Sequence, residues 1–209
     1  EMSASLVGSE MCIRDRVVTL SGPDGYIYDP DGVATDEKID YLLEMRSSGR
    51  DRVQDYADKF SCSFFPGEKP WNVKADIIMP AATQNDVTME WAEKIAANGV
   101  KYYIEVANMP TTNDALFYLM EQKDIIVAPS KAVNAGGVAV SALEMSQNSE
   151  RLVWSADEVD EKLKGIMTNI HRVSVEAAEE FGLGYNLVAG ANIAGFKKVA
   201  TAMMEQGCF

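Results

Sequence analysis

The stretch "TMEWAEKIAANGVKYYIEVANMPTTNDALFYLMEQKDIIVAP", residues 88–129, contains the pattern on which the fold prediction rests. Two helical segments, beginning after Thr88 and Thr112, alternate with two short apolar runs rich in Tyr, Ile and Val. Threonine is a favoured N-cap, and Gly99 stands where a left-handed residue commonly ends a helix. Helices and strands that alternate through short connections predict a parallel sheet flanked by helices.

The same alternation extends toward the N-terminus, whereas the chain becomes helical after Pro129. Further strands are predicted at 16–20, 62–65 and 75–80, with two helical segments between the first two of these runs. Beyond Pro129, Ser155 and Glu158 have the spacing of a capping box, and they precede a long helix with an apolar stripe. The predicted fold class is α/β, an incomplete Rossmann-type doubly wound parallel sheet followed by C-terminal helices.

The chain is divided into three segments by its sequence. Residues 1–16, which contain "SLVGSEMCIRDR", resemble a translated sequencing linker, and we expect them to be a non-native leader. Residues 17–130 are predicted to form a partial Rossmann-like nucleotide-binding domain, and residues 131–209 a helical C-terminal part.

The composition excludes several classes of function. A formal net charge of −13 disfavours nucleic-acid binding, and no apolar run approaches the roughly 20 residues that a membrane span needs. Cys12, Cys62 and Cys208 are far apart, which argues against a disulfide framework or a zinc site and favours a cytoplasmic location. His171 is the single histidine, so no metal site is expected.

Small and amide residues follow three of the predicted strands. They are found in "PAATQND" (80–86), "ANMPTT" (107–112) and "PSKAVNAGG" (129–137). The carboxyl ends of strands line the ligand crevice in open α/β sheets, and amides suit a neutral polar group such as a ribose or carboxamide. Helix caps and turns are the alternative interpretation of these loops. No G-x-G-x-x-G phosphate loop is present in the chain.

The motifs "PAATQND", "ANMPTTNDA" and "KAVNAGGVAVSALEMSQNSERLVW", together with "YNLVAGANIAGFKKVATAMMEQG" at 185–207, resemble the cofactor domain of hexameric glutamate dehydrogenases of the bacterial type. The resemblance covers nearly all of residues 17–209. It implies an oxidoreductase that interconverts L-glutamate with 2-oxoglutarate and ammonia by using a nicotinamide cofactor. It also implies a homo-oligomer, a hexamer.

The resemblance further implies roles for particular residues. Ser141 and Val138 are expected to bind the substrate, with Ser141 donating a hydrogen bond to the side-chain carboxylate of glutamate. The residues expected to bind the cofactor are Ser21, Thr83, Gln84, Asn108 and Asn134, with Asn134 at the nicotinamide end.

Cofactor choice is predicted from the end of the strand at 16–20. An acidic residue there would hydrogen-bond the adenosine 2′-hydroxyl and favour NAD. The chain has Ser21 and Gly22 first, with room for a 2′-phosphate, and Asp24 only after Pro23. The sequence therefore favours NADP, with NAD as the alternative.

The chain departs from the family pattern at three positions around the expected site. Val106 stands in "EVAN", where the family commonly has Glu-Gly-Ala-Asn. Val140 and Ala142 flank Ser141 in "AVSA", in place of the usual Ala-Thr-Ser-Gly. Val106 adds bulk near the expected cofactor, and the changes at 140 and 142 either weaken binding or are absorbed by repacking.

No catalytic residue is assigned within this chain, because the family's catalytic Lys and Asp are expected upstream of residue 17. The first Rossmann strand and its Gly-rich turn are expected there too, so we expect the polypeptide alone to be inactive and poorly folded. Two alternatives remain open at this point: a branched-chain or aromatic amino-acid dehydrogenase, and a non-catalytic nucleotide-binding module. An apolar residue in place of Ser141 would have favoured the first of these.

Overall fold

The computed structural model describes residues 16–33 and 35–207. The expected leader, residues 1–16, lies outside these ranges except for Arg16. The chain divides into two compact units, one ending at Val73 and the other beginning at Lys74.

The unit that ends at Val73 is built on an antiparallel sheet. Its strands are β1 (Thr19–Gly22), β2 (Gly25–Tyr28) and β3 (Ser63–Pro66), and its helices are α1 (Asp36–Ser47), α2 (Val53–Phe60) and a 3-10 turn at Pro70–Asn72. Strand β2 lies between β1 and β3 and pairs antiparallel with both.

The hairpin of β1 and β2 is a feature that the sequence analysis did not predict. Only Pro23 and Asp24 separate β1 from β2, and a two-residue connection can join antiparallel strands but not parallel ones. Gly25 follows with φ of 144°, and a Cβ there would lie 2.2 Å from the carbonyl oxygen of Phe65. Glycine is therefore required where the hairpin passes β3.

A buried ion pair lies beside the apolar core of this unit. The carboxylate of Asp29 accepts hydrogen bonds from Lys38 Nζ at 2.6 Å and from the Tyr56 hydroxyl at 2.9 Å. Lys38 Nζ also donates to the carbonyl oxygen of Gly32 at 2.8 Å. Burial raises the pKa of Asp29, but the hydrogen bonds from Lys38 and Tyr56 outweigh it, and the pKa lies below its ordinary value. The carboxylate thus links the residue after β2 to helices α1 and α2.

The unit that begins at Lys74 contains the predicted parallel sheet, which is confirmed. Strands β4 (Ile77–Ile78), β5 (Tyr102–Ile104) and β6 (Ile126–Ala128) lie in that order, and both pairings are parallel. Helices α3 (Met89–Ala97) and α4 (Asn113–Glu121) connect them. Thr88 and Thr112 are the N-cap residues of these helices, and Gly99 has a φ of 72° just after α3, as predicted.

Four helices follow the sheet. They are α5 (Ser130–Val133), α6 (Ala135–Glu150), α7 (Ala156–Glu180) and α8 (Leu187–Gln206). The capping box of Ser155 and Glu158 is present at the start of α7. Helix α8 begins at Leu187, where the side chain of Asn186 caps it by accepting a hydrogen bond from Ala189 N.

Helices α7 and α8 are in close backbone contact at Gly190. A Cβ at this position would lie 1.9 Å from the carbonyl oxygen of Ser174 and 3.2 Å from Cβ of Ala178. The absence of a side chain at Gly190 therefore lets the two backbones touch. No helix among residues 16–33 and 35–207 is long and apolar enough to cross a membrane.

Candidate functional site

A groove of about 590 Å³ lies at the carboxyl ends of β4 and β5, beside the start of α6. Its lining comes from three segments: Ala81, Ala82 and Gln84 after β4; Val106, Ala107 and Asn108 after β5; and Asn134, Gly137 and Val138 at the α5–α6 junction. This volume is within the range of small-molecule sites, and the position is the usual ligand crevice of an α/β sheet.

Backbone hydrogen bonds join the two loops that form one side of the groove. The amides of Val106 and Ala107 both donate to the carbonyl oxygen of Pro80, at 3.1 and 3.0 Å, and Asn85 N donates to Met109 O at 3.0 Å. Asn85 and Met109 have φ values of 54° and 48°, a conformation that few residues other than glycine adopt. The loops therefore hold a costly conformation through contacts with each other.

Side chains link the loop after β5 to the neighbouring elements. Asn134 Nδ2 donates to Asn108 Oδ1 at 2.5 Å, which connects the α5–α6 junction with this loop across the groove wall. The hydroxyls of Tyr103 in β5 and Thr111 are 2.8 Å apart and buried. Burial raises the pKa of Tyr103 despite the opposing effect of its bond to Thr111, so the phenol is neutral at physiological pH.

The two glycines at the start of α6 have different surroundings. A Cβ on Gly136 would lie 3.5 Å from Met167 Sδ, an ordinary packing contact with α7. A Cβ on Gly137 would meet nothing within 4 Å, and Gly137 lines the groove. Gly137 therefore keeps the groove open, whereas Gly136 belongs to the helix interface.

The structure brings four of the predicted binding residues to the groove wall: Gln84, Asn108, Asn134 and Val138. Thr83 is exposed next to Gln84 but is not part of the lining.

Ser141 lies one helical turn beyond Gly137 on the same side of α6, where it is exposed, and its Oγ donates to the carbonyl oxygen of Gly137 at 3.3 Å. Ser21 is in β1 of the other unit, where it is opposite Tyr26. Three residues differ from the family pattern. Val106 lines the groove, and Val140 and Ala142 are exposed on α6.

One polar residue beside the groove was not among those predicted. Glu105 directly follows β5 and is only 3 % exposed. Its Oε2 accepts a hydrogen bond from Ser130 N at 3.2 Å, and its Oε1 has no hydrogen-bond partner among the described residues. The sequence gives no distinguishing signal for it, because an acidic residue at the end of an apolar strand is also typical of a strand end in water.

The groove offers amide donors and acceptors between small apolar residues. Its three amide side chains, Gln84, Asn108 and Asn134, are uncharged and can both donate and accept hydrogen bonds. Across residues 16–33 and 35–207, no group of three or more His, Cys, Asp or Glu side chains is arranged to hold a metal ion. The site is therefore suited to a neutral, planar, polar group.

Known proteins with similar sequences include glutamate dehydrogenases. An NAD-specific glutamate dehydrogenase of Clostridium symbiosum is 72% identical over 192 residues, which are 92% of this chain and 43% of that protein. An NADP-specific glutamate dehydrogenase of Escherichia coli is 48% identical over 192 residues, 92% of this chain and 42% of that protein. The chain thus spans less than half the length of these relatives.

Solved structures have the same fold. One glutamate dehydrogenase structure, 72% identical, aligns with a TM-score of 0.89 over 92% of this chain and 43% of its own. The structure of the Plasmodium falciparum glutamate dehydrogenase, 45% identical, aligns with a TM-score of 0.87 over 93% of this chain and 42% of its own. The family of glutamate, leucine, phenylalanine and valine dehydrogenases matches residues 7–207. The chain therefore belongs to the Glutamate/Leucine/Phenylalanine/Valine dehydrogenase family.

Proposed function

We propose that this chain is the larger part of the cofactor domain of a glutamate dehydrogenase. The reaction is L-glutamate, water and NAD(P)⁺ giving 2-oxoglutarate, ammonium, NAD(P)H and a proton, and its reverse. The observation that carries the proposal is the groove lined by Gln84, Asn108 and Asn134, at the strand ends of a chain that belongs to this family. An NAD(P)-dependent amino-acid oxidoreductase needs a polar surface of this kind to bind its nicotinamide.

The groove residues fit a nicotinamide ring and its carboxamide. Asn108 and Asn134 can hydrogen-bond a carboxamide, and Ala107 and Gly137 leave space for a flat ring beside them. When bound, a nicotinamide supplies the hydride acceptor and donor. The protein's own contribution is to orient the ring and exclude water, and the hydrogen-bonded loops at Pro80 and Met109 hold that wall rigid.

On the substrate side, we assign Ser141 to the side-chain carboxylate of glutamate, with Val138 beside it. Val138, Ser141 and Gly137 are neighbours on one face of α6, so a ligand in the groove can reach the Ser141 hydroxyl. The hydroxyl now donates to Gly137 O at 3.3 Å, a weak bond that it can exchange for a carboxylate.

The cofactor is NAD or NADP. Relatives of both kinds exist, since the 72% identical protein is named NAD-specific and the 48% identical one NADP-specific. In this chain the Asp24 carboxylate accepts hydrogen bonds from Val53 N at 3.1 Å and Gln54 N at 3.0 Å, at the start of α2. Ser21 and Asp24 are the residues whose substitution we expect to alter this choice. Thr83 is assigned to the cofactor's ribose side.

We also propose a homohexamer in the cytoplasm. The hexamer rests on the resemblance to hexameric glutamate dehydrogenases, and the cytoplasmic location on the scattered cysteines of the sequence. The catalytic Lys and Asp are assigned to the remainder of the enzyme.

The experiment that tests the function uses a chimera, in which this chain replaces the matching 192 residues of the Clostridium symbiosum relative. We expect glutamate-dependent reduction of NAD or NADP by the chimera. Ser141→Ala should lower kcat/KM for glutamate about 10- to 100-fold, since a hydrogen bond to a charged group contributes about 1.5–3 kcal/mol. Initial rates with glutamate, leucine and phenylalanine are measured for both proteins.

Ser146→Ala is the matched control, because Ser146 is exposed on the same helix and its Oγ likewise donates to the carbonyl four residues earlier, Ala142 O at 2.9 Å. It should leave kcat/KM unchanged. A folded chimera that oxidises leucine or phenylalanine in preference to glutamate would contradict the assignment, and one that binds dinucleotide without any turnover would favour a non-catalytic module.

A further inference from the structure

The buried carboxylate of Glu105 connects the end of β5 to the start of α5, the short helix that leads to Asn134 at the groove. Glu105 N donates to Ala128 O at 3.0 Å at the end of β6, and Glu105 Oε2 accepts from Ser130 N at 3.2 Å at the start of α5. Glu105 is therefore bound on both its backbone and its side chain to the segment that leads into α5.

A second contact joins the same two segments three residues farther along the loop. Asn108 Oδ1 accepts from Asn134 Nδ2, and Asn134 is the residue between α5 and α6. Two hydrogen bonds thus join the loop 105–108 to the segment 130–134, one from Ser130 N to Glu105 and one from Asn134 to Asn108. Together these two hydrogen bonds determine the position of the Asn134 amide in the groove.

A structural role alone explains this residue poorly. A buried carboxylate with one hydrogen bond and one unpartnered oxygen costs free energy compared with a well-packed apolar side chain. Packing alone therefore does not account for an acidic side chain at this position.

We propose that Glu105 is a positioning residue of the dehydrogenase: by accepting the hydrogen bond of Ser130 N, it holds Asn134 against Asn108 and so aligns the nicotinamide for hydride transfer. The inference rests on the proposed function. It predicts that loss of the Glu105–Ser130 bond shifts the groove wall and lowers the rate of turnover more than the affinity for the dinucleotide.

The test removes this hydrogen bond from each side in the chimera. Glu105→Ala removes the acceptor, and Ser130→Pro removes the donor. Proline is well tolerated at the first helical position, and Pro129 before it already has a compatible extended conformation with φ of −76° and ψ of 146°. Glu105→Gln is the conservative variant, because its amide oxygen can still accept from Ser130 N.

We expect kcat to fall about 10- to 100-fold in Glu105→Ala and in Ser130→Pro, because a small misplacement of the reacting ring has effects of that size. KM for the dinucleotide should change less than about threefold, since the adenosine half is bound elsewhere. Glu105→Gln should restore most of kcat. The double variant Glu105→Ala/Ser130→Pro should be no slower than the slower single variant, because both changes remove one bond.

Amide hydrogen exchange of peptides covering residues 130–138 supplies a readout independent of turnover, and it should accelerate in both single variants. If Glu105→Ala does not assemble, Ser130→Pro carries the same test. Parent-like kcat in the folded variants, multiplied effects in the double variant, or unchanged exchange at 130–138 would overturn the inference. An inactive parent chimera would instead refute the proposed function, and the exchange measurement would still decide the role of Glu105.

Discussion

Gly190→Ala is expected to destabilise the packing of α7 on α8 by about 3 kcal/mol, at the upper end of the usual cost of an overpacked core. The new methyl would lie 1.9 Å from the carbonyl oxygen of Ser174 and 2.8 Å from its carbonyl carbon. A clash with backbone cannot be relieved by a change of rotamer, so the helices must separate. The gain of about 1 kcal/mol in helix propensity that alanine brings is too small to compensate.

Gly195→Ala is the control for this prediction, because Gly195 is on the same helix and a Cβ there would meet nothing within 4 Å. It should leave stability unchanged or raise it by up to about 1 kcal/mol. Hydrogen exchange of peptides from α7 and α8 in the chimera distinguishes the two variants, with faster exchange for Gly190→Ala only. Equal protection in the two variants would show that the close helix contact is not present.

Asp29→Ala is expected to destabilise the unit that ends at Val73 by about 3–5 kcal/mol, the usual cost of removing one partner of a buried ion pair. The substitution leaves the Lys38 ammonium, whose side chain is 15% exposed, without its counter-charge and with only Gly32 O as acceptor, and it leaves the Tyr56 hydroxyl without its acceptor. Asp31→Ala is the control, because Asp31 is exposed two residues away, and its effect should stay within about 0.5 kcal/mol. Hydrogen exchange of peptides spanning β2 measures both effects.

The contribution of Asp29 depends on pH in a direction that the structure determines. The pKa of this carboxyl is lowered in the folded state, so its stabilisation is present above the unfolded pKa of about 4 and is lost as the pH falls through the folded value. The difference in unfolding temperature between the parent chimera and Asp29→Asn should therefore narrow below about pH 4. A difference that widens on acidification would contradict the charged state assigned to Asp29.

The parallel unit could be predicted because its signals are local. Thr88 and Thr112 stand in extended conformation directly before α3 and α4, and Gly99 has a positive φ directly after α3. The capping box of Ser155 and Glu158 spans only four residues. The antiparallel unit was harder to predict. The "SGPDG" cluster shows that a strand ends, but the return of β2 against β1 and β3 is decided by tertiary pairing with residues 63–66.

The residues of the candidate site likewise differ in how far the sequence predicts them. Gln84, Asn108 and Asn134 could be predicted as neighbours because each follows a strand, and the carboxyl ends of parallel strands meet at one edge. Glu105 could not, since an acidic residue after "KYYI" is typical of a strand end in water. Its carboxylate is buried and accepts a hydrogen bond from Ser130 N, which is 25 residues away in sequence.

The most direct test of the central claim, that the groove beside α6 holds the nicotinamide end of the cofactor, is the effect of Gly137→Leu on glutamate oxidation by the chimera. Gly137 lines the groove and a Cβ there would meet nothing within 4 Å, so we expect a leucine side chain to extend into the groove. Gly165→Leu on α7, where a Cβ would also meet nothing within 4 Å, is the matched control.

We predict that Gly137→Leu lowers kcat/KM at least about 100-fold at an unchanged or higher unfolding temperature, since glycine is the poorer helix former, while Gly165→Leu keeps the parent rate. A Gly137→Leu chimera that is folded and as active as its parent would contradict the assignment of the groove.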